Sequence, residues 1–335
     1  MEISIEQAGI IGIATFIATL TTFLIMRPII QWLKDHGLTG IDVHKLNKPS
    51  IPERGGIGII IGLLLATSME TILLPEWRGQ LIAFSAVVIM GLLIGIYDDQ
   101  YRIGALTKPI LLLSAGMPII VLDLFYELYD GRPRLPFIGA ARLTLVYPLL
   151  ILIAISVTSN AVNMADTLNG SMPNICIIAT CAICISGIIL DSIVSLIIGL
   201  PLLGALIGYW YYNKHPSKVF SGDTGSLAVG ASIGALAVLG KLETVAIIAI
   251  MPLILNSYSI LFSLGRLMEK SEIKTRPIFL REDGRLCAST EKAAPITLIR
   301  TILAYGPLFE YEIVRVMSII ALISGILALI TAFTI

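Results

Sequence analysis

The stretch LIAFSAVVIMGLLIGIYDD, residues 81–99, decides the fold. Seventeen uncharged, mostly apolar residues lead directly into the adjacent acids Asp98 and Asp99. A run of that length approaches the roughly 20 residues a helix needs to cross the hydrocarbon of a bilayer. Carboxylates at the end of such a helix are costly unless they reach water, a cation or a partner, so the pair marks a polar site at one membrane face. Neighbours on a helix point about 100° apart, which assigns the two side chains different partners.

The same pattern recurs along the chain. Apolar runs lie at 8–26, 56–74, 106–122, 143–159, 175–190, 193–212, 225–239, 242–264 and 316–333. Composition agrees, with 56% hydrophobic and 14% charged residues, against roughly 25% charged in soluble domains. The predicted fold class is therefore all-α: a polytopic membrane protein of about ten transmembrane helices, with residues 1–335 as one transmembrane domain. Run 8–26 is longer than the core of a signal peptide and lacks a basic leader, so it stays as the first span. Run 225–239 is short enough to be a broken or partly immersed helix. Pro118, Pro201 and Pro252 fall inside spans, where kinks are tolerated. The one large extramembrane piece is the loop 265–315, whose stretch 293–317 suits one or two interfacial helices. Cys176, Cys181 and Cys184 share one apolar run and read as small fillers. A net charge of zero argues against a nucleic-acid partner.

Threaded alternately, ten spans put segments 27–55, 98–108, 213–224 and 265–315 on one side. Eighteen of the 23 basic residues fall there, against five (Arg78, Arg132, Arg134, Arg142 and Lys241) on the other side. By the positive-inside bias the first side is cytoplasmic, both termini lie outside, and the chain is a multi-pass protein of the cell membrane.

Every unusual polar cluster falls on that same side. Segment 40–56 carries Asp42, Lys45, Lys48, Glu53 and Arg54; Asp98 and Asp99 precede Lys108; Asn160 and Asn163 precede Asp166 and Asn169; Phe220 and Asp223 sit in a glycine-containing turn. Asn160 and Asn163, three apart, share a helix face. Carboxylate and amide oxygens are hard ligands that suit Mg²⁺, which completes its shell with waters and substrate phosphates. Lysines and Arg54 offset phosphate charge, and loop glycines permit close backbone approach. The pattern suits a diphosphate. The histidines His36, His44 and His215 lack metal-ligand spacing, so zinc is not expected.

At these four clusters, from about Asp42 to Asp223, the chain resembles the polyprenyl-phosphate N-acetylhexosamine-1-phosphate transferases. The motifs match in order, approximate spacing and predicted sidedness, and Gly-x-Asp-x-x-Lys followed by Pro-Glu-x-Gly-Gly looks like the archaeal and eukaryotic dolichyl branch. The resemblance implies transfer of N-acetylhexosamine-1-phosphate, as GlcNAc-1-phosphate, from a UDP-sugar to dolichyl or polyprenyl phosphate, the first membrane step of glycan assembly. It implies that Asp98, Asp99, Lys108 and Asp223 are catalytic. Asn163 and Asp223 would be ligands of Mg²⁺, with Mn²⁺ able to substitute. Lys45, Lys48, Glu53, Asn160, Asp166, Asn169, Phe220, Arg276 and Arg281 would bind substrate, Asn169 and Phe220 at uracil and Glu53 near the sugar. Partners are the UDP-sugar, the lipid phosphate and, as a candidate, a second copy of the chain. Thr167 stands where the family has glycine, and the last loop lacks the family's histidine-rich or Arg-His-Arg motif. The competing class is a secondary transporter or flippase for an anionic lipid or nucleotide, which predicts polar residues near mid-membrane in both halves and a repeat.

Overall fold

The structure, a computed structural model, describes residues 4–265, 273 and 275–335. Helix α1 (Ile5–Asp35) starts at Ser4, whose hydroxyl accepts the Gln7 N–H while the Gln7 side chain accepts the Ser4 N–H. This reciprocal cap satisfies two orphan donors. At 31 residues the helix runs past Pro28 and outlasts the expected span. Strands β1 (Thr39–Ile41) and β2 (Ser50–Pro52) pair antiparallel, with Gly40 opposite Ile51. Helices α2 (Gly56–Leu73) and α3 (Arg78–Tyr101) follow. Helices α4 (Thr107–Ser114) and α5 (Met117–Tyr126) together make one crossing. After a small hairpin, β3 (Arg134–Leu135) and β4 (Gly139–Ala140), come α6 (Tyr147–Ala165), α7 (Ser171–Ile189), α8 (Ile193–Asn213) and α9 (Gly222–Leu239). Helices α10 (Glu243–Ala249) and α11 (Met251–Leu264) meet at a 68° bend. Strands β5 (Ile278–Leu280) and β6 (Leu286–Ala288), the short α12 (Leu298–Ile302) and α13 (Glu310–Ala332) complete the order. Among the described residues nine spans are long and apolar enough to cross a membrane, and the bent pair makes a tenth.

The crossings sort the loops into two ends. At one end Gly55 donates to Phe220, Arg54 to Asp99 and Asn169 to Glu310. At the other, Gln7 meets Glu76, Lys241 meets Asp130 and Phe137 donates to Thr334. Residues 4–5 and 334 thus sit at the end opposite the four polar clusters.

Helix α9 is the centre. Every residue from 224 to 239 is buried, with α3, α6 and α2 packed around it. Lipid-embedded helices gain little from hydrophobicity against each other and associate through close backbone packing, which small residues allow. Gly91 and Gly95 of α3 lie on α9, where a Cβ at Gly95 would stand 2.5 Å from the Asp223 carbonyl oxygen and 2.6 Å from Thr224 Cα. Gly230 and Gly234 of α9 receive Ser159, Thr158 and Ile155 of α6, and Gly56 of α2 faces Gly225 backbone to backbone.

Three expectations change. The run 225–239 is not broken: it is continuous and the most enclosed of the spans. The broken span is the next one, where Pro252 opens α11; Pro118 likewise opens α5, and only Pro201 of the three lies inside a helix. A proline in a first turn forfeits no helical hydrogen bond. In the loop 265–315, residues 266–272 and 274 lie outside the described residues; the β5–β6 hairpin comes first, and the stretch 293–317 holds the five-residue α12 and, from Glu310, the start of α13. The last span begins at Glu310, six residues earlier than the apolar run, because the carboxylate of Glu310 is partnered.

Candidate active site

The site is organised around the first turn of α9. Gly222 takes φ +70°, and a Cβ there would stand 2.8 Å from Asp99 Oδ2 and 3.0 Å from Arg54 Cα. The glycine lets the end of α3 lie against the start of α9. Asp99 uses that proximity: its Oδ1 accepts the Asp223 N–H at 3.0 Å, and its Oδ2 accepts the Thr224 N–H at 2.9 Å and the Thr224 hydroxyl at 2.5 Å. Early helix N–H groups have no intrahelical acceptor, and a carboxylate there also meets the positive end of the helix dipole. Arg54 Nη2 donates to the Asp99 carbonyl at 2.7 Å, tying the β1–β2 segment to the same corner.

Asp98 faces elsewhere, as neighbouring helix positions require. Its Oδ1 accepts the Ile103 N–H at 2.7 Å, closing the turn into α4, and the Lys108 ammonium pairs with its Oδ2. The same ammonium lies 2.7 Å from Asp223 Oδ2. Asn163 Nδ2 donates to Asp223 Oδ1 at 2.7 Å and to the Ser226 hydroxyl at 2.8 Å. Asp98 and Asn163 are buried. Two carboxylates thus converge on one ammonium at the membrane end, where an uncompensated charge would be expensive.

Among the described residues no group of three or more His, Cys, Asp or Glu side chains forms a metal cage. Two carboxylates and an amide fit Mg²⁺ better than a fully caging ion, since it binds through one or two carboxylates and keeps waters and phosphates. Asn163 points its amide nitrogen at Asp223, so as a ligand it would have to present Oδ1 instead.

A second polar cluster surrounds Glu310 at the head of α13. Its buried carboxylate pairs with Lys45, lies 3.3 Å from His215 Nδ1 and accepts the Asn169 N–H at 2.7 Å. Asn169 Nδ2 donates to Asp42 Oδ2 at 3.1 Å, and Lys45 lies 3.6 Å from that atom. Asn213 Oδ1 accepts the Gly170 N–H, and its amide donates to the Val219 carbonyl, joining this cluster to the segment before α9. Asp166 accepts the Ser221 hydroxyl on the same path. Burial holds the His44 imidazole below its usual 6.5, against the raising effect of Glu310 and Asp42. Exposed Arg276 acts on His44 electrostatically from the last loop.

The structure therefore brings together Asp98, Asp99, Lys108, Asn163 and Asp223 in one group, and Lys45 with Asn169 in another. Glu53 lies over Gly40, where an added side chain would collide with its carboxylate. Phe220 is half-buried, and its backbone joins Pro52 and Gly55. Three candidates stand apart. Asn160 returns its amide to the Ser156 carbonyl of its own helix at 2.8 Å, so sharing a face with Asn163 does not bring it to the carboxylates. Lys48 is exposed in the β1–β2 turn with φ +42°. Arg281 is exposed on the β5–β6 hairpin, 3.6 Å from Asp283. Glu310, Thr224 and Ser226 were not expected as site residues. An acid heading an apolar helix was the available signal for Glu310.

A family model described as glycosyl transferase family 4 matches residues 81–241, which contain the first polar group but neither Lys45 nor Glu310. A protein of Saccharolobus solfataricus, named by inference a UDP-N-acetylglucosamine–dolichyl-phosphate N-acetylglucosaminephosphotransferase, is 30% identical over 250 residues, 73% of this chain and 74% of that protein. A Bacillus subtilis protein, named by inference an undecaprenyl-phosphate N-acetylglucosaminyl 1-phosphate transferase, is 30% identical over 246 residues, 71% and 65% of the two chains. A phospho-N-acetylmuramoyl-pentapeptide-transferase of Nitratiruptor is 29% identical over 304 residues, 80% and 84%.

Proposed function

Because the chain belongs to glycosyl transferase family 4, we propose that its polar end transfers N-acetylhexosamine-1-phosphate, in the first instance GlcNAc-1-phosphate, from a UDP-sugar to polyprenyl or dolichyl phosphate. The observation that carries this reading is the convergence of Asp98 and Asp223 on Lys108, with Asn163 beside them, at the membrane end of buried helices. A transporter path is supported by no comparable grouping among the described residues at mid-membrane.

An oxygen of the lipid phosphate attacks the β-phosphorus of the donor. The bond from that phosphorus to the bridging oxygen breaks, and the oxygen leaves with its electron pair on UMP. One phosphoanhydride replaces another, so the reaction runs near balance. A phosphate monoester has a second pKa of about 6, so the acceptor is largely dianionic at neutral pH and needs no obligatory base. Lys108 places a positive charge against the reacting phosphates, and Asp98 holds Lys108. Asp99 fixes the turn that carries Asp223, which supplies the pre-organisation an in-line displacement needs. Asp223 and Asn163, the latter turned to present its oxygen, are the residues that would hold Mg²⁺. Bound there, it would neutralise charge on the diphosphate. Asn169, steadied by Glu310 and Asp42, suits the uracil edge, with Phe220 beside it. The excess of basic residues at this end supports a cytoplasmic site with both termini outside.

The test incubates purified full-length protein with Mg²⁺, polyprenyl phosphate and a panel of UDP-sugars, scoring UMP and sugar-lipid. Absence of product with every donor refutes the transfer. An Asp223→Asn variant with unchanged rate and metal dependence removes that residue from the site.

A further inference from the structure

On the face formed by α1 and α8, away from the reacting group, two concavities are stacked. The upper one, of about 470 Å³, is lined by Arg27, Lys34 and Lys218 with Ser50, Ser217 and Tyr212 among its other residues. No carboxylate lines it, and among the described residues none of the three cations forms an ion pair. The nearby acid Asp35 takes the Gln31 amide instead. The lower one, of about 350 Å³, is an apolar groove that includes Phe16, Leu20, Phe23, Ile207, Trp210 and Tyr211.

Side-chain contacts join their walls. Phe23 packs on both Tyr211 and Tyr212, the Tyr212 hydroxyl donates to the Phe23 carbonyl, and Lys218 lies over both tyrosine rings. Their depths differ in the right sense. The groove falls within the apolar run 8–26 and the last turns of α8, whereas Arg27 and Lys214 are the first charges beyond those runs. Aromatic side chains with lysines above them mark the interfacial layer, where long basic side chains reach for headgroups. A cationic cup over an apolar slot at that depth matches a lipid whose phosphate lies above an acyl chain.

We infer that this face binds one anionic phospholipid, its headgroup phosphate held by Arg27, Lys34 and Lys218 and an acyl chain lying in the α1/α8 groove. A zwitterionic lipid would bring its own cation into a cup that has no acid to receive it. The site shares no lining residue with Asp98, Lys108, Asn163 or Asp223, so it is separate from the transfer centre. It is also connected to that centre: Pro52, in its wall, accepts the Phe220 N–H at 2.8 Å, and Phe220 precedes the turn that starts α9.

The test uses full-length protein in mild detergent, loaded with phosphatidylglycerol and phosphatidylcholine of matched chains and read by native mass spectrometry and melting temperature. The wild type should retain one phosphatidylglycerol with a preference of about tenfold over phosphatidylcholine. The triple variant Arg27→Gln, Lys34→Gln, Lys218→Gln should lose that preference, while Arg27→Lys, Lys34→Arg, Lys218→Arg keeps it. A control removing Arg102, Arg285 and Lys292 as glutamines should retain it too, and millimolar inorganic phosphate should not displace the lipid. Equal retention of both lipids overturns the proposal, as does a triple variant that binds like wild type. Loss of preference in the control assigns the effect to general surface charge and also overturns it. Displacement and stabilisation by inorganic phosphate alone make this a free-phosphate site, and a dimer that covers the groove without lipid makes it a contact between copies. Binding is read without turnover, so the outcome is independent of the proposed transfer.

Discussion

Replacing Asp99 separates positioning from chemistry. Its carboxylate accepts two backbone N–H groups and one hydroxyl from the first turn of α9, at 3.0, 2.9 and 2.5 Å. Hydrogen bonds to a charged acceptor contribute about 1.5–3 kcal/mol each in isolation. Since the three share one half-exposed side chain, Asp99→Ala should cost about 3 kcal/mol, including a few tenths from the helix dipole. Asp99→Asn keeps one acceptor oxygen but turns an N–H toward a donor, and should cost roughly half as much. Release of that turn displaces Asp223, and misplacement by an ångström costs about 10²-fold in rate. The expectation is a kcat loss of about 10²-fold for the alanine variant and about tenfold for asparagine, with KM little changed and the shape of the pH–rate profile preserved. Melting temperature and initial rates across pH measure both. Wild-type melting and kcat in Asp99→Ala would refute the reasoning. So would the disappearance of one limb of the pH profile in Asp99→Asn, which would make the residue an acid or base.

Lys108→Gln leaves Asp98 and Asp223 facing each other without their shared cation; kcat should fall by about 10²-fold, measured as UMP release at saturating substrates. A decrease under about threefold counts against a phosphate-facing lysine. Glu310→Gln loses the pairings with Lys45 and His215 but keeps an oxygen for the Asn169 N–H. The KM for the UDP-sugar should rise about tenfold with kcat nearly unchanged, and steady-state kinetics checks the split. His44 has its pKa lowered from 6.5 in the folded chain, so the unfolded chain binds the proton more readily. Its contribution to stability is present above pH 6.5 and is lost as pH falls toward the folded value. Melting measured between pH 7.5 and pH 5.5, a range of about two units around the reference pKa, should drop less in His44→Gln than in wild type; equal drops refute this.

The number of crossings and the end at which the polar clusters gather were legible because both depend on a one-dimensional pattern, apolar runs interrupted by charge. The rank of the helices was not. Segment 225–239 reads as a weak span because Gly, Ala and Ser contribute little hydropathy, yet those residues let α3, α6 and α2 approach it, making it the centre. Glu310 read as an interfacial charge because its partners come from Lys45, His215 and Asn169, each more than 90 residues away in the chain. Asn160 and Asn163 share a face by spacing, but depth along the helix decides which reaches Asp223. The bend between α10 and α11 falls at Pro252, whereas Pro201 sits within an unbroken helix, so a proline in an apolar run does not by itself tell where a span will break.

The glycine contacts of α9 have an evolutionary corollary. A helix that cannot admit one added methyl on the sides facing Gly56, Gly95 and Ser159 offers almost no neutral substitutions, so tolerance of change is expected in an exposed segment such as the β5–β6 hairpin. That hairpin makes none of the glycine contacts that hold the axle on which the carboxylates are mounted. A substitution within residues 275–289 should therefore be tolerated more readily than one in α9.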